Sequence, residues 1–102
     1  MVKKAIQLDS RDNVATVTED VAKGEAVEVI SPDGEVILGP RPVEAIVFGH
    51  KLSLTKLSRG EQIIKYGEVI GLASTGIEAG EWVHTHNVES GRLPTSRMEA
   101  GQ

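Results

Sequence analysis

The fold of this chain is decided by the stretch Ile77-Glu78-Ala79-Gly80-Glu81-Trp82-Val83, because its pattern recurs along the chain. The pattern is an apolar residue, two variable residues, Gly-Glu, one variable residue, and then Val or Ile. We assign the same corner to two further copies, Val21-Ala22-Lys23-Gly24-Glu25-Ala26-Val27 and Leu57-Ser58-Arg59-Gly60-Glu61-Gln62-Ile63. In each copy we expect the first apolar residue to enter the core, the glycine to adopt a backbone conformation that a Cβ disfavours, and the β-branched residue to begin a strand. The sequence therefore predicts the same β corner three times.

Short strands are predicted around these corners from period-two alternation and β-branched residues between turn residues. They fall at residues 5–8, 14–19, 26–30, 43–48, 51–54, 61–65, 68–73 and 81–88, the first two forming a hairpin. Helix is limited to one helical or 3₁₀ turn at residues 55–59, capped by Ser53 or Thr55. The irregular spacing of the corners favours a compact pseudo-symmetric fold over a solenoid. The predicted fold class is all-β.

A loop is predicted at about residues 31–43. Ser31-Pro32-Asp33-Gly34 has β-turn chemistry, since proline presets one dihedral and glycine accepts a positive φ. Gly39-Pro40-Arg41-Pro42 disfavours regular structure, and we expect the loop to be mobile. The polar tail at residues 91–102 is expected to be flexible, which leaves residues 1–90 as the folded domain.

Composition bounds the class of protein. The 102 residues suit one domain. With one Trp, one Tyr and one Phe, the core must come from aliphatic residues. Docking to a partner or to further copies of the chain would add stability to such a core.

Charge and residue types also exclude several functions. A formal charge of −4 without a basic run does not favour nucleic acid as a partner. No apolar stretch is long enough to cross a membrane, and Asp9 interrupts any signal peptide, so a cytoplasmic location is predicted. The lack of cysteine excludes disulfides, thiolate metal sites and cysteine nucleophiles.

His84 and His86 lie two apart in a predicted strand, so both imidazoles would point to one face with Trp82 and Val88. One interpretation is that they converge on a metal ion or an anion. The other is that they are half-buried structural residues whose nitrogens bond to the main chain. Two histidines do not complete a catalytic metal site, so a partner chain would have to supply further ligands.

Other polar residues also have two interpretations. His50 and Lys51 follow Gly49, where an imidazole and an ammonium group would meet either a carboxylate or only solvent. Lys65-Tyr66-Gly67 suits a polyhydroxylated acid, but the Tyr66 ring would equally pack on a neighbouring strand. Glu25, Glu61 and Glu81 recur at equivalent corners, and since catalysis does not need one carboxylate three times, we interpret them as turn residues.

Several motifs, in their order along the chain, resemble a known family. The most specific are Gly49-His50-Lys51-Leu52-Ser53-Leu54, Lys65-Tyr66-Gly67 and His84-Thr85-His86-Asn87. Over residues 5–90 the chain is similar to the N-terminal SAF domain of the altronate dehydratase and galactarate dehydratase family. The resemblance implies a β-clip fold, as in antifreeze-like domains, and residues 31–43 depart from it.

The resemblance also implies a function. In this family the SAF unit is either fused ahead of a large catalytic region or made as a separate small subunit. It therefore implies a hydro-lyase subunit, inactive without a large catalytic dehydratase subunit, in an enzyme that removes water from an anionic sugar acid such as altronate or galactarate. A divalent metal, Fe²⁺ or Mn²⁺, is implied in the assembled enzyme, with His84 and His86 as its ligands from this chain. The implied substrate contacts are His50, Lys51, Lys65, Tyr66 and Asn87.

Three alternatives stay open. The similar small subunit of sulfolactate sulfo-lyase acts on a sulfonated hydroxy acid, and the sequence does not separate the two substrates. A non-catalytic module that binds a sugar acid or holds a partner would use the same β-clip. A biotinyl or lipoyl carrier also has Gly-rich β repeats, but Lys51 and Lys65 lack the flanking residues expected around a modified lysine.

Overall fold

The computed structural model describes residues 2–90, which form nine strands and no helix. The strands are β1 (Lys3–Ile6), β2 (Val14–Val17), β3 (Val27–Ile30), β4 (Val36–Leu38), β5 (Lys51–Ser53), β6 (Gln62–Lys65), β7 (Glu68–Ala73), β8 (Trp82–Val83) and β9 (Val88–Glu89). A helix able to span a membrane is thus absent from residues 2–90. The all-β prediction is confirmed, whereas the predicted flexible tail lies outside the described residues.

The strands form two sheets. The larger has the order β4-β3-β1-β2-β5-β8 and the smaller the order β6-β7-β9. Neighbouring strands run antiparallel except β1 and β3, which are parallel. The predicted β1–β2 hairpin is present, with Ala5 opposite Val17. Neither sheet closes on itself, which agrees with the open β-clip predicted from the sequence.

Four corners turn the described chain, one more than predicted. The expected corners have glycines with positive φ at Gly24 (81°), Gly60 (91°) and Gly80 (90°). The fourth turns at Gly49 (φ 88°) and runs Ile46-Val47-Phe48-Gly49-His50-Lys51-Leu52, so a histidine stands where the others have glutamate. The apolar residues that begin and end each corner are buried in all four copies.

The glutamates close their corners. Each carboxylate accepts a hydrogen bond from the backbone N–H three residues earlier, at 2.7 Å for Glu25, 2.6 Å for Glu61 and 2.9 Å for Glu81. At Glu25 this bond is the main cause of a pKa below the usual value for glutamate. These contacts account for the recurrence of glutamate at equivalent turns.

The corners associate in two pairs through their first residues. Val21 and Ile46 exchange two backbone hydrogen bonds of 2.9 Å, and Leu57 and Ile77 exchange two of 2.8 Å. Each corner therefore lies against another corner of the same shape. This arrangement confirms the pseudo-symmetric packing predicted from the repeats.

Two small cores lie beneath the sheets. The buried residues of the first are Ala5, Ala15, Val17, Val21, Val27, Val29, Ile46 and Leu52. Those of the second are Val14, Leu57, Ile63, Ala73, Ile77 and Val83. Trp82 packs against the first core while its neighbour Val83 belongs to the second, so β8 contacts both.

Three predicted segments are wrong in detail. Residues 31–43 are not a loop throughout, because β4 pairs antiparallel with β3 and satisfies part of its backbone. Residues 55–59 contain no helical turn, since Leu57 instead forms its bridge with Ile77. Residues 43–48 do not form a strand, because only Ile46 pairs there.

The predicted strand at residues 81–88 is also broken. β8 ends at Val83, residues 84–87 turn, and Val88 begins β9 in the other sheet. Trp82 and Val88 consequently pack against different cores instead of sharing one face.

The β6–β7 hairpin has an unusual tip. Tyr66 (φ 60°) and Gly67 (φ 72°) both have positive φ, as a tight hairpin turn requires, but a tyrosine pays a steric penalty there. The carboxylate of buried Asp12 accepts hydrogen bonds from both N–H groups, at 3.0 and 2.8 Å. The anchored tip leaves the Tyr66 side chain 67% exposed.

Candidate functional site

A cleft of about 310 Å³ lies between β5, β7 and the turn that joins β8 to β9. Its lining residues are Lys51, Ile70, His84, Thr85, Val88, Glu89 and Ser90. An ammonium group and an imidazole thus stand beside aliphatic side chains, two hydroxyls and one carboxylate. Such a lining suits a small polar ligand held by a few charged contacts.

Lys51 carries a charge that its surroundings do not offset. Burial lowers the pKa of Lys51 below its usual 10.5, and the positive charge of Lys65 lowers it further. Within residues 2–90 no carboxylate forms an ion pair with either lysine. A bound anion would therefore stabilise the charged form of Lys51.

His84 stands at the end of β8 among other rings. It stacks on the Trp82 indole, with centroids 5.3 Å apart and 12° between planes, and meets His50 edge-on at 5.0 Å. Partial burial lowers the pKa of His84 below 6.5, and the charges of His50, Lys51 and His86 add to the effect. At neutral pH His84 is uncharged, so one ring nitrogen keeps a lone pair that can accept a hydrogen bond or a proton.

His50 is bonded to the same indole. Trp82 Nε1 donates a hydrogen bond of 3.2 Å to His50 Nδ1, and the two ring centroids are 5.5 Å apart. Because an indole nitrogen can only donate, Nδ1 is the acceptor and Nε2 carries the proton of the neutral ring. Of the three imidazoles that contact the Trp82 ring, those of His50, His84 and His86, His50 is the one that accepts the indole N–H.

Asn87 shapes the turn between β8 and β9. Its side chain is buried; Oδ1 accepts a hydrogen bond from the His84 N–H at 2.9 Å, and Nδ2 donates to the Trp82 carbonyl at 2.8 Å. Nδ2 also lies 3.3 Å from Glu81 Oε2. These contacts explain why the strand ends at Val83, since the amide takes up backbone groups that a longer strand would pair.

His86 does not line the cleft and belongs instead to a separate group of possible metal ligands. Together with Glu44 and Glu81 it offers three ligand atoms that lie within 4.8 Å of one another. Within the described residues neither glutamate forms an ion pair. Carboxylate oxygens with an imidazole nitrogen suit Mn²⁺ or Fe²⁺, so the donor set fits the implied metal. His84 is not a member of this group.

Lys65 and Tyr66 stand at the hairpin tip and do not line the cleft. Lys65 Nζ lies 5.8 Å from the centre of the Tyr66 ring. The positive charge of Lys65 nevertheless lowers the pKa of Lys51, so the two ammonium groups lie close enough to repel each other.

The structure therefore divides the residues singled out in the sequence. Lys51 and His84 line the cleft, His50 contacts His84, and Lys65 lies within electrostatic reach. The turn after Val83 ends the strand parity on which the His84–His86 pair was based, but both rings contact the Trp82 indole, at 5.3 and 4.8 Å between centroids, and their shared metal ion stays a prediction. Asn87 is used inside the turn.

Two residues of the site were missed. Trp82 was seen only as a strand residue, and its role follows from the fourth corner, which brings His50 to it. Allowing any residue after the glycine and any aliphatic residue at the end of the pattern would have included that corner. Glu44 has no local signal, because only the fold brings it to Glu81.

Known proteins resemble this chain over most of its length. Residues 3–91 match the family described as the altronate/galactarate dehydratase SAF domain. The altronate dehydratase of Bacillus subtilis strain 168 is 34% identical over 89 residues, which are 87% of this chain and 17% of that protein. The altronate dehydratase of Escherichia coli K12 is 38% identical over 85 residues, covering 83% of this chain and 16% of that protein.

A relative of similar length is (2R)-sulfolactate sulfo-lyase subunit alpha of Chromohalobacter salexigens. It is 36% identical over 85 residues, covering 82% of this chain and 90% of that subunit. In contrast, the chain spans only about a sixth of the altronate dehydratases it matches. The family match includes all four corners and every described residue of the cleft, and it confirms the resemblance drawn from the sequence: the chain belongs to the altronate/galactarate dehydratase SAF domain family.

Proposed function

We propose that this chain supplies one part of the active site of a sugar-acid dehydratase, a cytoplasmic hydro-lyase whose other groups come from a separate large catalytic subunit. The observation that carries the proposal is the cleft in which the unpaired Lys51 ammonium group stands beside the uncharged His84. The altronate and galactarate dehydratases among the relatives support the reaction class. The relatives named (2R)-sulfolactate sulfo-lyase subunit alpha support an enzyme of more than one subunit.

Lys51 gives the cleft a cationic group for an anionic hydroxy acid, while Glu89 places one carboxylate in the same lining. Lys51 offers a point charge to a carboxylate, and Lys65 adds to the positive potential that attracts the anion. His84, uncharged at neutral pH, accepts a hydrogen bond from a substrate hydroxyl. Ile70 and Val88 cover the carbon chain. The exposed Tyr66 ring at the hairpin tip would cover the distal end of the ligand.

Loss of water beside a carboxylate requires a base for the α-proton and assistance to the departing hydroxide. In this proposal the chain binds and orients the substrate, and the catalytic subunit holds the base. Glu44, Glu81 and His86 would hold a divalent cation, Fe²⁺ or Mn²⁺, which supplies Lewis-acid assistance when bound. Asn87 supports this arrangement by fixing Glu81 and the turn that carries both histidines.

The test is co-expression of the chain with the large subunit encoded beside it. The mixture and each part alone are assayed with altronate, galactarate and sulfolactate, measuring the keto acid and sulfite that are formed. We expect activity only in the mixture, and a raised KM for Lys51→Met. Full activity of the isolated chain, or a large subunit whose activity does not depend on the chain, would refute the division of labour.

A second candidate is the alpha subunit of a sulfolactate sulfo-lyase. It is favoured by length, because the matched region covers 90% of such a subunit from Chromohalobacter salexigens. Sulfite release in the same assay, without dehydration of either sugar acid, would select this candidate. Tight binding of a sugar acid by a chain that activates no partner would instead indicate a non-catalytic binding module.

A further inference from the structure

The fourth corner keeps the backbone of the other three, but the carboxylate that bonds to it belongs to Asp20, whose Oδ1 accepts a hydrogen bond from the Phe48 N–H at 2.8 Å, and not to the residue after its glycine. The His50 N–H donates to the Val47 carbonyl at 3.0 Å, just as the Glu25 N–H donates to the Ala22 carbonyl at 3.1 Å. The apolar residues at its ends, Ile46 and Leu52, are buried like their counterparts. The polypeptide path of the corner therefore does not depend on the residue that follows its glycine.

The side chain at this position differs in its hydrogen bonds. Each glutamate accepts from the N–H at the start of its own corner, whereas His50 turns to Trp82. Within residues 2–90 the Val47 N–H has no acceptor. A closing contact of this kind stabilises a turn, so the histidine forgoes a stabilising bond that its three counterparts make.

The hydrogen bond to Trp82 also fixes what the His50 ring can do. With Nδ1 occupied as an acceptor, the neutral ring carries its proton on Nε2, and this N–H has no acceptor among the described residues. His50 is thus held as a donor. His84, which contacts it at 5.0 Å and lines the cleft, retains a lone pair.

We propose that the fourth corner has exchanged its closing carboxylate for a ligand contact, in which His50 Nε2–H donates to an anionic hydroxy acid in the adjoining cleft. Trp82 is the positioning residue that keeps the proton on Nε2. His50 and His84 then form a donor and an acceptor, which match a carboxylate and its neighbouring hydroxyl. The nature of the ligand rests on the proposed function, while the exchange at the corner and the role of Trp82 do not.

The first experiment measures the tautomer of His50 in the full chain. Long-range proton–nitrogen correlation spectra at mildly alkaline pH distinguish the two neutral forms, and His50→Gln assigns the signals. We expect the Nε2–H form in the wild type and a mixture in Trp82→Phe, which keeps an aromatic ring but loses the N–H. An Nδ1–H form or a mixture in the wild type would overturn the role of Trp82.

The second experiment compares His50→Glu with His50→Ala. Glutamate restores the closing carboxylate, so we expect its urea denaturation midpoint to exceed that of the alanine variant and of the wild type. Both variants should bind galactarate about tenfold more weakly or worse in calorimetric titrations. A glutamate variant no more stable than the alanine variant, or one that binds galactarate like the wild type, would overturn the proposal.

The two kinds of failure are distinguishable. If the chain has the Nε2–H form and the expected stabilities, but its complex with the large subunit binds neither galactarate nor altronate, the sugar acid is not the ligand and the proposed function fails. A chain that binds galactarate with the His50 ring in the other tautomer would overturn the present inference and leave the proposed function standing.

Discussion

The backbone N–H of Tyr66 donates a hydrogen bond of 3.0 Å to Oδ2 of the buried Asp12 carboxylate. The same carboxylate accepts from the N–H groups of Gly67, at 2.8 Å, and Asp9, at 3.1 Å. One side chain thus ties the tip of the β6–β7 hairpin to the turn between β1 and β2. This anchor allows a tyrosine to occupy a position of positive φ, where its ring stays exposed.

Replacing the strained tyrosine should stabilise the domain. Tyr66→Asn places a residue that tolerates positive φ in front of Gly67, so we expect the free energy of unfolding to rise by about 0.5–1 kcal/mol. Urea denaturation measures the change. Tyr66→Phe is the control, since it keeps the penalty. Equal stability of the asparagine and phenylalanine variants would show that the backbone there is not strained.

Replacing the anchor should have the opposite effect. In Asp12→Asn an amide NH₂ would face one of the three N–H donors, and we expect a loss of about 1–3 kcal/mol in the free energy of unfolding. Asp33→Asn, an exposed turn residue with no side-chain bond among those described, should change stability by less than about 0.5 kcal/mol. An Asp12 variant as stable as this control would mean that the carboxylate does not hold the hairpin.

Glu61 should contribute to stability mainly as a hydrogen-bond acceptor. Glu61→Ala removes the bond to the Ser58 N–H and should cost about 0.5–1.5 kcal/mol. Glu61→Gln keeps an acceptor oxygen and should lose less than half as much. Glu19→Ala, at an exposed position without such a bond, serves as the control in the same urea series. A glutamine variant as unstable as the alanine variant would point to the charge instead.

The pKa of Lys51 should be lowered both by the burial of its side chain and by the positive charge of Lys65. We expect it to titrate below 10.5 in the wild type and at higher pH in Lys65→Met, followed by carbon NMR of the lysine ε-methylenes. Since the folded-state pKa is lowered, the folded chain binds fewer protons than the unfolded chain in this range, and the free energy of unfolding rises with pH between the lowered pKa and 10.5.

Anion binding should change with pH in the opposite direction. The charged form of Lys51 is lost as the pH rises through its lowered pKa, so galactarate affinity should fall in that range and fall later in Lys65→Met. A Lys51 pKa at or above 10.5 would contradict the burial of its ammonium group. A Lys51 pKa that is unchanged in Lys65→Met would contradict the electrostatic coupling between the two lysines.

A divalent cation should bind to the glutamate pair and His86. In calorimetric titrations with Mn²⁺, we expect Glu44→Gln and His86→Gln to weaken binding about tenfold or more, because each removes one of the available donors. His84→Gln should bind Mn²⁺ like the wild type. If His84→Gln weakens Mn²⁺ binding as much as Glu44→Gln does, the metal is held by His84 and His86, as expected from the sequence.

Features governed by short-range patterns were predicted from the sequence. The apolar-Gly-Glu repeat correctly predicted three corners, because the buried apolar residue, the glycine with positive φ and the glutamate that bonds to the turn all lie within a few residues of one another. The apolar run at β7, which contains two β-branched residues, was predicted with its correct bounds. The fourth corner was missed because the pattern required glutamate and a final Val or Ile, where this corner has His50 and Leu52; the turn itself requires only the glycine and two buried ends.

Features governed by distant contacts were not predicted. Asn87 ends β8 by bonding to the main chain of Trp82 and His84. Residues 84–87 therefore turn, and the strand alternation from which the histidine pair was predicted does not continue beyond Val83. Glu44 approaches Glu81 only through the fold. The cleft residues Lys51 and His84 were found through the family resemblance, since each also had an ordinary interpretation as a solvated or structural residue.

The assignment of Trp82 and Val83 to separate cores has a consequence for how the domain melts. Consecutive residues of a two-residue strand cannot lose their partners independently, because freeing one peptide unit withdraws the other side chain from its contacts. The two hydrophobic clusters should therefore be lost in a single cooperative transition. Since Trp82 is the sole tryptophan, its intrinsic fluorescence would report that event for the whole domain.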